Sequence, residues 1–262
     1  MGVPAAIVID ASGLFTLGEQ IWWVSLRIGA MLMLAPVIGT HMLPPRVRLI
    51  VALALSTALA PLLPSAAPAS GFGALTVLAV ARELAIGAAI GFVFRLAFEA
   101  TALAGELIAQ GMGLSFAQML DPIRGTQSPV MAQWFGMLCG LCFFAIDGHL
   151  AMLRVVFESY ALAPPAAAAN LAPMLSAVPA FASAMFVAGV SFALPIMIAM
   201  LVVNIGFGVL ARTAPALNPI AIGLPAALLI GFFLIVILTP HLLAPLQQWL
   251  AAAASTAGAL VH

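Results

Sequence analysis

Long apolar runs are the feature that most constrains what this chain can fold into. They cover about 17–38, 49–63, 72–108, 130–146, 178–210 and 220–238. A membrane-spanning helix needs about 20 consecutive apolar residues. The chain is 65% hydrophobic and 6% charged, whereas soluble domains contain about 25% charged residues. Such a chain cannot cover a water-facing surface, and the pattern predicts an all-α integral membrane protein.

Several runs do not have the length of a simple span. The run 72–108 would be about 55 Å long as one straight helix, nearly twice the thickness of a hydrocarbon core. The run 178–210 is also long, and Pro195 is expected to kink it. These lengths predict long kinked helices and helical hairpins rather than a set of simple spans.

Arginines indicate which connections face the cytoplasm. Four arginines lie in alternate connections: Arg46, Arg48, Arg124 and Arg212. An excess of basic residues marks the cytoplasmic side of a membrane protein. We therefore expect these connections in the cytoplasm and both termini on the opposite side.

A row of polar residues lies inside the third apolar run. At about 100° per residue, Arg95, Glu99 and Glu106 fall within about 40° of one another on a helix, and Gln110 extends the row. Ionisable groups are costly in hydrocarbon, so we expect a buried polar seam that faces protein or water. A proton or ion pathway is the alternative. The seam is favoured because Arg95 and Glu99 can neutralise each other at i,i+4.

Small and charged residues elsewhere suggest helices packed on several sides. Gly87 and Gly91 form a GxxxG motif, which permits close approach of a second helix. Arg27 lies in the middle of the first apolar run, where a single chain of this size is expected to offer it few buried partners. Both features favour an oligomeric assembly.

No constellation of residues indicates catalysis, a cofactor or a metal site. Ser115 lies in a Gly-Leu-Ser sequence similar to the serine turn of rhomboid proteases, but Phe116 occupies the position where that turn needs glycine. The four histidines are dispersed, and Cys139 and Cys142 lie in an apolar run with no base nearby. The chain has no lysine and no basic stripe, which excludes a nucleic-acid binder. We expect no enzyme activity.

Five segments occur in a specific order along the chain. They are RIGAMLMLAPVIG (27–39), LPPRVRLIVALALS (43–56), RELAIGAAIGFVFRLAFEA (82–100), GELIAQGMGLSFAQMLDPIRGTQSP (105–129) and GVLARTAPALNPIAIGLP (208–225). Over nearly the whole chain this order resembles the FliR family, the export-gate membrane proteins of the bacterial flagellar type III secretion system. Injectisome counterparts are similar but diverge more in 105–129, so the flagellar family is favoured and an injectisome export-gate homologue is an alternative.

The resemblance implies a role in a larger assembly. FliR proteins form with FliP and FliQ a closed ring around a pore for unfolded flagellar proteins, with FlhB packed against it and FlhA nearby. The implied location is the bacterial inner membrane, in the flagellar basal body. ATP hydrolysis and proton coupling belong to other components.

The resemblance also divides the chain. It implies a FliP-like part, residues 1–177, and a FliQ-like helical hairpin with a C-terminal tail, residues 178–262. A cytoplasmic tip of the hairpin would contain Arg212 and Pro215, and a loop at 111–122 would project into the pore as a plug.

The residue chemistry of segment 111–122 suits a plug. Gly111 and Gly113 allow the backbone to leave the helix, and Asp121 with Pro122 ends the segment. Apolar bulk, which blocks ions by dewetting a constriction, comes from Met112, Leu114, Phe116, Met119 and Leu120. Two alternatives remain open. In the first, the segment is a loop buried between helices. In the second, the whole chain is a secondary transporter or channel subunit that uses Arg95, Glu99 and Glu106 for coupling.

Overall fold

The computed structural model describes residues 11–39, 43–63, 73–114, 130–165, 171–213 and 219–260. Within these ranges there are seven α-helices and no strand. The helices are α1 (Ala11–Leu34), α2 (Pro45–Leu59), α3 (Ala74–Gly111), α4 (Val130–Ala145), α5 (Gly148–Leu162), α6 (Ala172–Thr213) and α7 (Pro219–Ala259). A 3₁₀ turn, Ala60–Leu62, follows α2. The all-α prediction is confirmed.

Helices of membrane length occur in the described part of the chain. Four are long and apolar enough to cross a membrane: Pro45–Leu62, Ala74–Gly111, Ala172–Thr213 and Gly223–Ala259. Helices α4 and α5 form a fifth candidate if their pair, bent by 66°, counts as one span. With 38 and 42 residues, α3 and α6 are about 57 and 63 Å long, roughly twice a hydrocarbon core. The chain is therefore an integral membrane protein with helices longer than simple spans.

Prolines lie inside the two C-terminal helices without ending them. Helix α6 contains Pro179 and Pro195, and α7 contains Pro225, Pro240 and Pro245. A proline inside a helix removes one backbone hydrogen bond and usually bends the axis. Helix α6 continues past Pro195 to Thr213, so the kink at this position stays a prediction.

The chain forms two compact units. The first consists of residues 1–92, 152–175 and 257–262, and the second of residues 93–151 and 176–256. Helix α3 contributes its first half to one unit and its second half to the other. The division at 177/178 into FliP-like and FliQ-like parts rests on the resemblance and stays a prediction.

In the first unit, glycines of α3 allow close packing against α1. A Cβ atom added to Gly87 would overlap the backbone carbonyl of Arg27, and one added to Gly91 would overlap that of Met31. These two contacts are one helical turn apart on both helices. The GxxxG motif therefore marks the face of α3 that packs on α1, as its sequence predicted.

In the second unit, α3 packs against α4 and α6 through small residues. A Cβ atom on Gly105 would lie 2.5 Å from the carbonyl oxygen of Met131, and one on Gly189 would lie 2.9 Å from that of Ala100. Helices α6 and α7 contact through stacked rings of Phe181 and Trp249, whose centroids are 4.7 Å apart. These contacts bring the second half of α3 and the C-terminal helices into one core.

Candidate functional site

The predicted polar seam lies on the surface of the isolated chain. Arg95 Nε and Glu99 Oε1 are 3.4 Å apart, and both side chains are half exposed. Glu106 and Gln110 are exposed as well. The chain itself therefore does not bury this row. Its burial against a neighbouring protein stays a prediction.

Helix α3 ends in the turn that begins the predicted plug. Gly113 has a φ of 78°, which is the left-handed region that glycine adopts without a steric penalty. Its N–H donates to the Gln110 carbonyl at 3.0 Å, and the Leu114 N–H donates to the Ala109 carbonyl at 3.0 Å. This pair of bonds is a Schellman C-cap. The helix therefore ends with Gly111 as its last residue and Gly113 in the cap, and the place of both glycines in a plug stays a prediction.

Met112 differs from the expectation of an exposed sealing residue. Its side chain is fully buried, and it lies against Gly231 of α7, where an added Cβ would be 2.6 Å from the Met112 Cγ. Met112 therefore belongs to the core of the second unit. Leu114 is partly exposed. The other plug residues lie outside the described residues: Phe116, Met119, Leu120, Asp121 and Pro122.

The predicted cytoplasmic tip is described in part. Arg212 is exposed in the last turn of α6, where a cation is favourable near the negative end of the helix dipole. Pro215 lies outside the described residues. The side of the membrane that this tip faces stays a prediction.

A buried polar cluster in the first unit was not predicted. Arg27 and Glu83 are both fully buried, and they form two parallel bonds, Nε to Oε2 at 2.8 Å and Nη2 to Oε1 at 3.0 Å. Arg27 therefore has a partner within its own chain, which corrects the expectation that a single chain would offer it few. Glu83 is four residues before Gly87, so the pair and the close helix contact share one face of α3.

Helix α5 completes the surroundings of the Arg27 guanidinium. The Nη1 atom of Arg27 donates to the Ser159 hydroxyl at 2.8 Å. Its Nη2 atom donates to the carbonyl of Ala163, the residue after α5, at 2.7 Å. The guanidinium also lies over the Tyr160 ring, 4.2 Å from the centroid, in a cation–π contact. The guanidinium is fully buried and bonds to residues of α3 and of α5 with its C-terminal end, so the arrangement can hold these helices in register.

A second arginine borders this cluster. The Nη2 atom of Arg82 donates to Glu83 Oε1 at 3.1 Å and to the carbonyls of Pro164 and Pro165 at 2.9 and 2.6 Å.

The sequence contained a signal that could have revealed the Arg27–Glu83 pair. The two residues carry opposite charges and lie inside two separate apolar runs. Such charges are costly in hydrocarbon unless they meet.

No group of three metal-ligating side chains occurs among residues 11–39, 43–63, 73–114, 130–165, 171–213 and 219–260. Cys139 and Cys142 are buried free thiols in α4, as expected for packing residues.

Comparison with known proteins agrees with this architecture. Residues 19–253 match the model of the family described as Bacterial export proteins, family 1. The Flagellar biosynthetic protein FliR of Escherichia coli K12 is 35% identical over 87% of each chain. The protein of the same name from Pectobacterium carotovorum is 32% identical over 85% of each chain. That of Caulobacter vibrioides is 31% identical over 80% of this chain and 84% of its own. The resemblance seen in the sequence is confirmed, and this chain belongs to the FliR family of bacterial export proteins.

Proposed function

We propose that this chain is a subunit of the flagellar protein export apparatus, which forms with FliP and FliQ a closed pore for unfolded flagellar proteins. The observation that carries the proposal is the family match over 19–253. The membrane-length helices of the described part of the chain support it. The location follows as the bacterial inner membrane, within the flagellar basal body, and the role is structural and transporting rather than enzymatic.

The surface of the chain supports an assembled state. Large apolar side chains are widely exposed, including Phe15 at 81% and Leu75 at 82% of their full area. Lipid can cover such side chains, but it cannot solvate the half-exposed charges of Arg95 and Glu99. This supports a neighbouring protein or a water-filled space against that side of α3. We assign this place to FliP or FliQ, with FlhB against the complex and FlhA nearby.

The loop that follows α3 is proposed to seal the pore. It begins at a helix cap formed by Gly113 and continues with apolar residues of flexible or bulky shape up to Leu120. An apolar constriction excludes ions because water is unstable in it. Methionine side chains can repack around a moving chain, which suits a seal that yields to an unfolded substrate.

The test is to remove bulk from the loop without disturbing the core. We expect Phe116→Gly with Met119→Gly to leave the complex assembled and to let potassium chloride through it in planar bilayers. Met112 must be kept, because it is buried in the chain. The matched control is Ala117→Gly with Gln118→Gly, which adds the same number of glycines to the same loop and removes little apolar bulk.

Two results would contradict the seal. In the first, the Phe116/Met119 variant assembles and conducts no more than the control. In the second, it does not assemble although the control does, so the loop holds the structure instead. The flagellar assignment has its own test: loss of this chain should abolish motility in a strain whose other secretion systems are unaffected.

A further inference from the structure

Arg82 carries a positive charge that the described part of the chain does not balance. Among the described residues, Glu83 is the only carboxylate that forms an ion pair with Arg27 or Arg82. Both of its oxygens already accept from Arg27, and Arg82 shares one of them at 3.1 Å. Two cations thus meet one anion. The surplus positive charge is costly in apolar surroundings unless a further anion lies against it.

The Arg82 guanidinium also has unused hydrogen-bond donors. An arginine donates from Nε and from both terminal nitrogens. In Arg82 the acceptors, Glu83 and the carbonyls of Pro164 and Pro165, all lie against Nη2. Within the described ranges Nε is buried without an acceptor, whereas Nη1 has no acceptor and is not fully buried. A ligand can therefore reach the guanidinium at Nη1.

The side chain of Arg82 is held in place before any ligand arrives. Only 10% of its surface is exposed, and the two proline carbonyls hold Nη2 at 2.9 and 2.6 Å. A guanidinium that is fixed in this way binds an anion with little further loss of side-chain freedom. Phosphate oxygens are preferred partners of arginine, because they accept charge-assisted hydrogen bonds from its N–H groups.

Exposed apolar side chains lie next to this charged group. Leu78 and Leu75 precede Arg82 by one and two turns on the same side of α3, and they are 68% and 82% exposed. On α5, Leu162 lies two residues before Pro164 and is 47% exposed. Free phosphate gains nothing from apolar surface. A phospholipid brings a phosphate and an acyl chain to the same place, and it matches both features.

We propose that Arg82 binds the phosphate group of an anionic phospholipid, whose acyl chain lies along Leu78 and Leu75 of α3. Basic pockets between membrane helices recognise lipid headgroups by the same chemistry. The lipid phosphate balances the surplus charge of the cluster and supplies the acceptor that Nη1 lacks. These residues all belong to the first unit of the chain, and the site does not depend on what the protein transports.

Lipid binding by the purified protein tests the site. The chain, together with the membrane subunits that co-purify with it, is delipidated in dodecyl maltoside and titrated with dioleoyl-phosphatidylglycerol. Native mass spectrometry counts the bound lipids. Arg82→Gln should weaken the binding of one lipid roughly tenfold or more, because it removes a charge-assisted hydrogen bond. The matched control is Arg154→Gln, which removes the same charge from an exposed position of α5 in the same unit and should leave this lipid bound.

A second variant leaves the buried cluster untouched. Leu78 is largely exposed, so Leu78→Glu should not disturb folding. It places a carboxylate one turn before Arg82, in the orientation that favours an i,i+4 ion pair, where it competes with the phosphate. This variant should lose the lipid although Arg82 keeps all its contacts. Leu78→Gln is its control, because it has the same size without the charge, and it should bind the lipid more tightly than Leu78→Glu.

Three results would overturn the lipid site. The first is equal binding of dioleoyl-phosphatidylglycerol by wild type, Arg82→Gln and Leu78→Glu. The second is displacement of the lipid from wild type by an equal concentration of inorganic phosphate, which would assign Arg82 to free phosphate. The third is a wild-type protein that binds no lipid while Arg82→Gln loses its co-purifying subunits, which would assign the anion to a neighbouring protein. If Arg82→Gln does not fold, the comparison of Leu78→Glu with Leu78→Gln decides.

Discussion

The buried ion pair of Arg27 and Glu83 can be tested with a nearly isosteric substitution. Glu83→Gln keeps the size of the side chain but removes its charge and replaces one acceptor oxygen with a donor amide. In the structure both carboxylate oxygens accept from Arg27, at 2.8 and 3.0 Å. The substitution therefore places an N–H group against an N–H group and leaves the guanidinium without its counter-charge.

The expected cost follows from complete burial of both partners. Removing one member of a buried pair typically costs about 3–5 kcal/mol, because the other charge stays buried without compensation. Each 1.4 kcal/mol changes an equilibrium constant tenfold, so the unfolding equilibrium should shift by roughly a hundred-fold to a few-thousand-fold. Ser159 and the Ala163 carbonyl still accept from Arg27, which favours the lower end of this range.

A matched control lies on the same helix. Glu99→Gln removes the same charge from the pair with Arg95, which is half exposed and has a longer contact of 3.4 Å. An exposed pair of this kind is worth about 0–1 kcal/mol. Both variants would be purified with the partner subunits, and unfolding would be followed with increasing SDS in mixed micelles, by the loss of protease resistance of this chain.

The midpoint of unfolding should fall clearly for Glu83→Gln and little for Glu99→Gln. Replacing both partners, Arg27→Met with Glu83→Leu, should recover part of the loss, because the charge of Arg27 is removed together with its partner; Arg82 then keeps only the carbonyls of Pro164 and Pro165 as acceptors. Equal midpoints for Glu83→Gln and Glu99→Gln would refute the reasoning. So would a double variant less stable than Glu83→Gln alone.

Three further predictions concern assembly, the hairpin tip and helix packing. Expressed alone, the chain should aggregate or be degraded, and co-expression with FliP and FliQ should stabilise it; a monodisperse monomer in detergent would count against the export-gate proposal. Arg212→Glu should impair motility more than Arg124→Glu at matched protein levels, because it reverses an exposed charge at the end of α6; equal, mild effects would refute this order. Gly87→Ala should cost about 1–3 kcal/mol by forcing α1 and α3 apart, whereas Gly29→Ala, with no neighbour within 4 Å, should be tolerated. The SDS midpoint measures both, and similar midpoints would show that the contact is not tight.

Most helices could be predicted from the apolar runs alone. The run 72–108 corresponds to α3 at Ala74–Gly111, and the run 130–146 to α4 at Val130–Ala145. The last run was predicted at 220–238, but α7 extends to Ala259. Prolines at 240 and 245 lie inside α7 without ending it, because a helix can continue through proline with a bend.

The site was predicted less completely. Glycine at 113 indicated the exit from the helix because only a residue without a Cβ adopts a φ of 78° at no steric cost. The same segment gave no sign that the side chain of Met112 would be fully buried. An apolar side chain in a loop can be buried or exposed. The burial of Met112 involves its contact with Gly231, which lies 119 positions further along the chain.

The sequence by itself determined the environment, the helical class and the family of this protein. The free energy of moving a side chain from water into lipid depends mainly on that side chain itself. Composition and the length of the apolar runs therefore already require a membrane. The tertiary structure alone decided which charges meet and which stay exposed. Arg27 finds Glu83 at a separation of 56 residues and Ser159 at 132, whereas Arg95 and Glu99 remain at the surface. Pairing over such distances depends on how helices pack against one another, and helical periodicity contains no information about it.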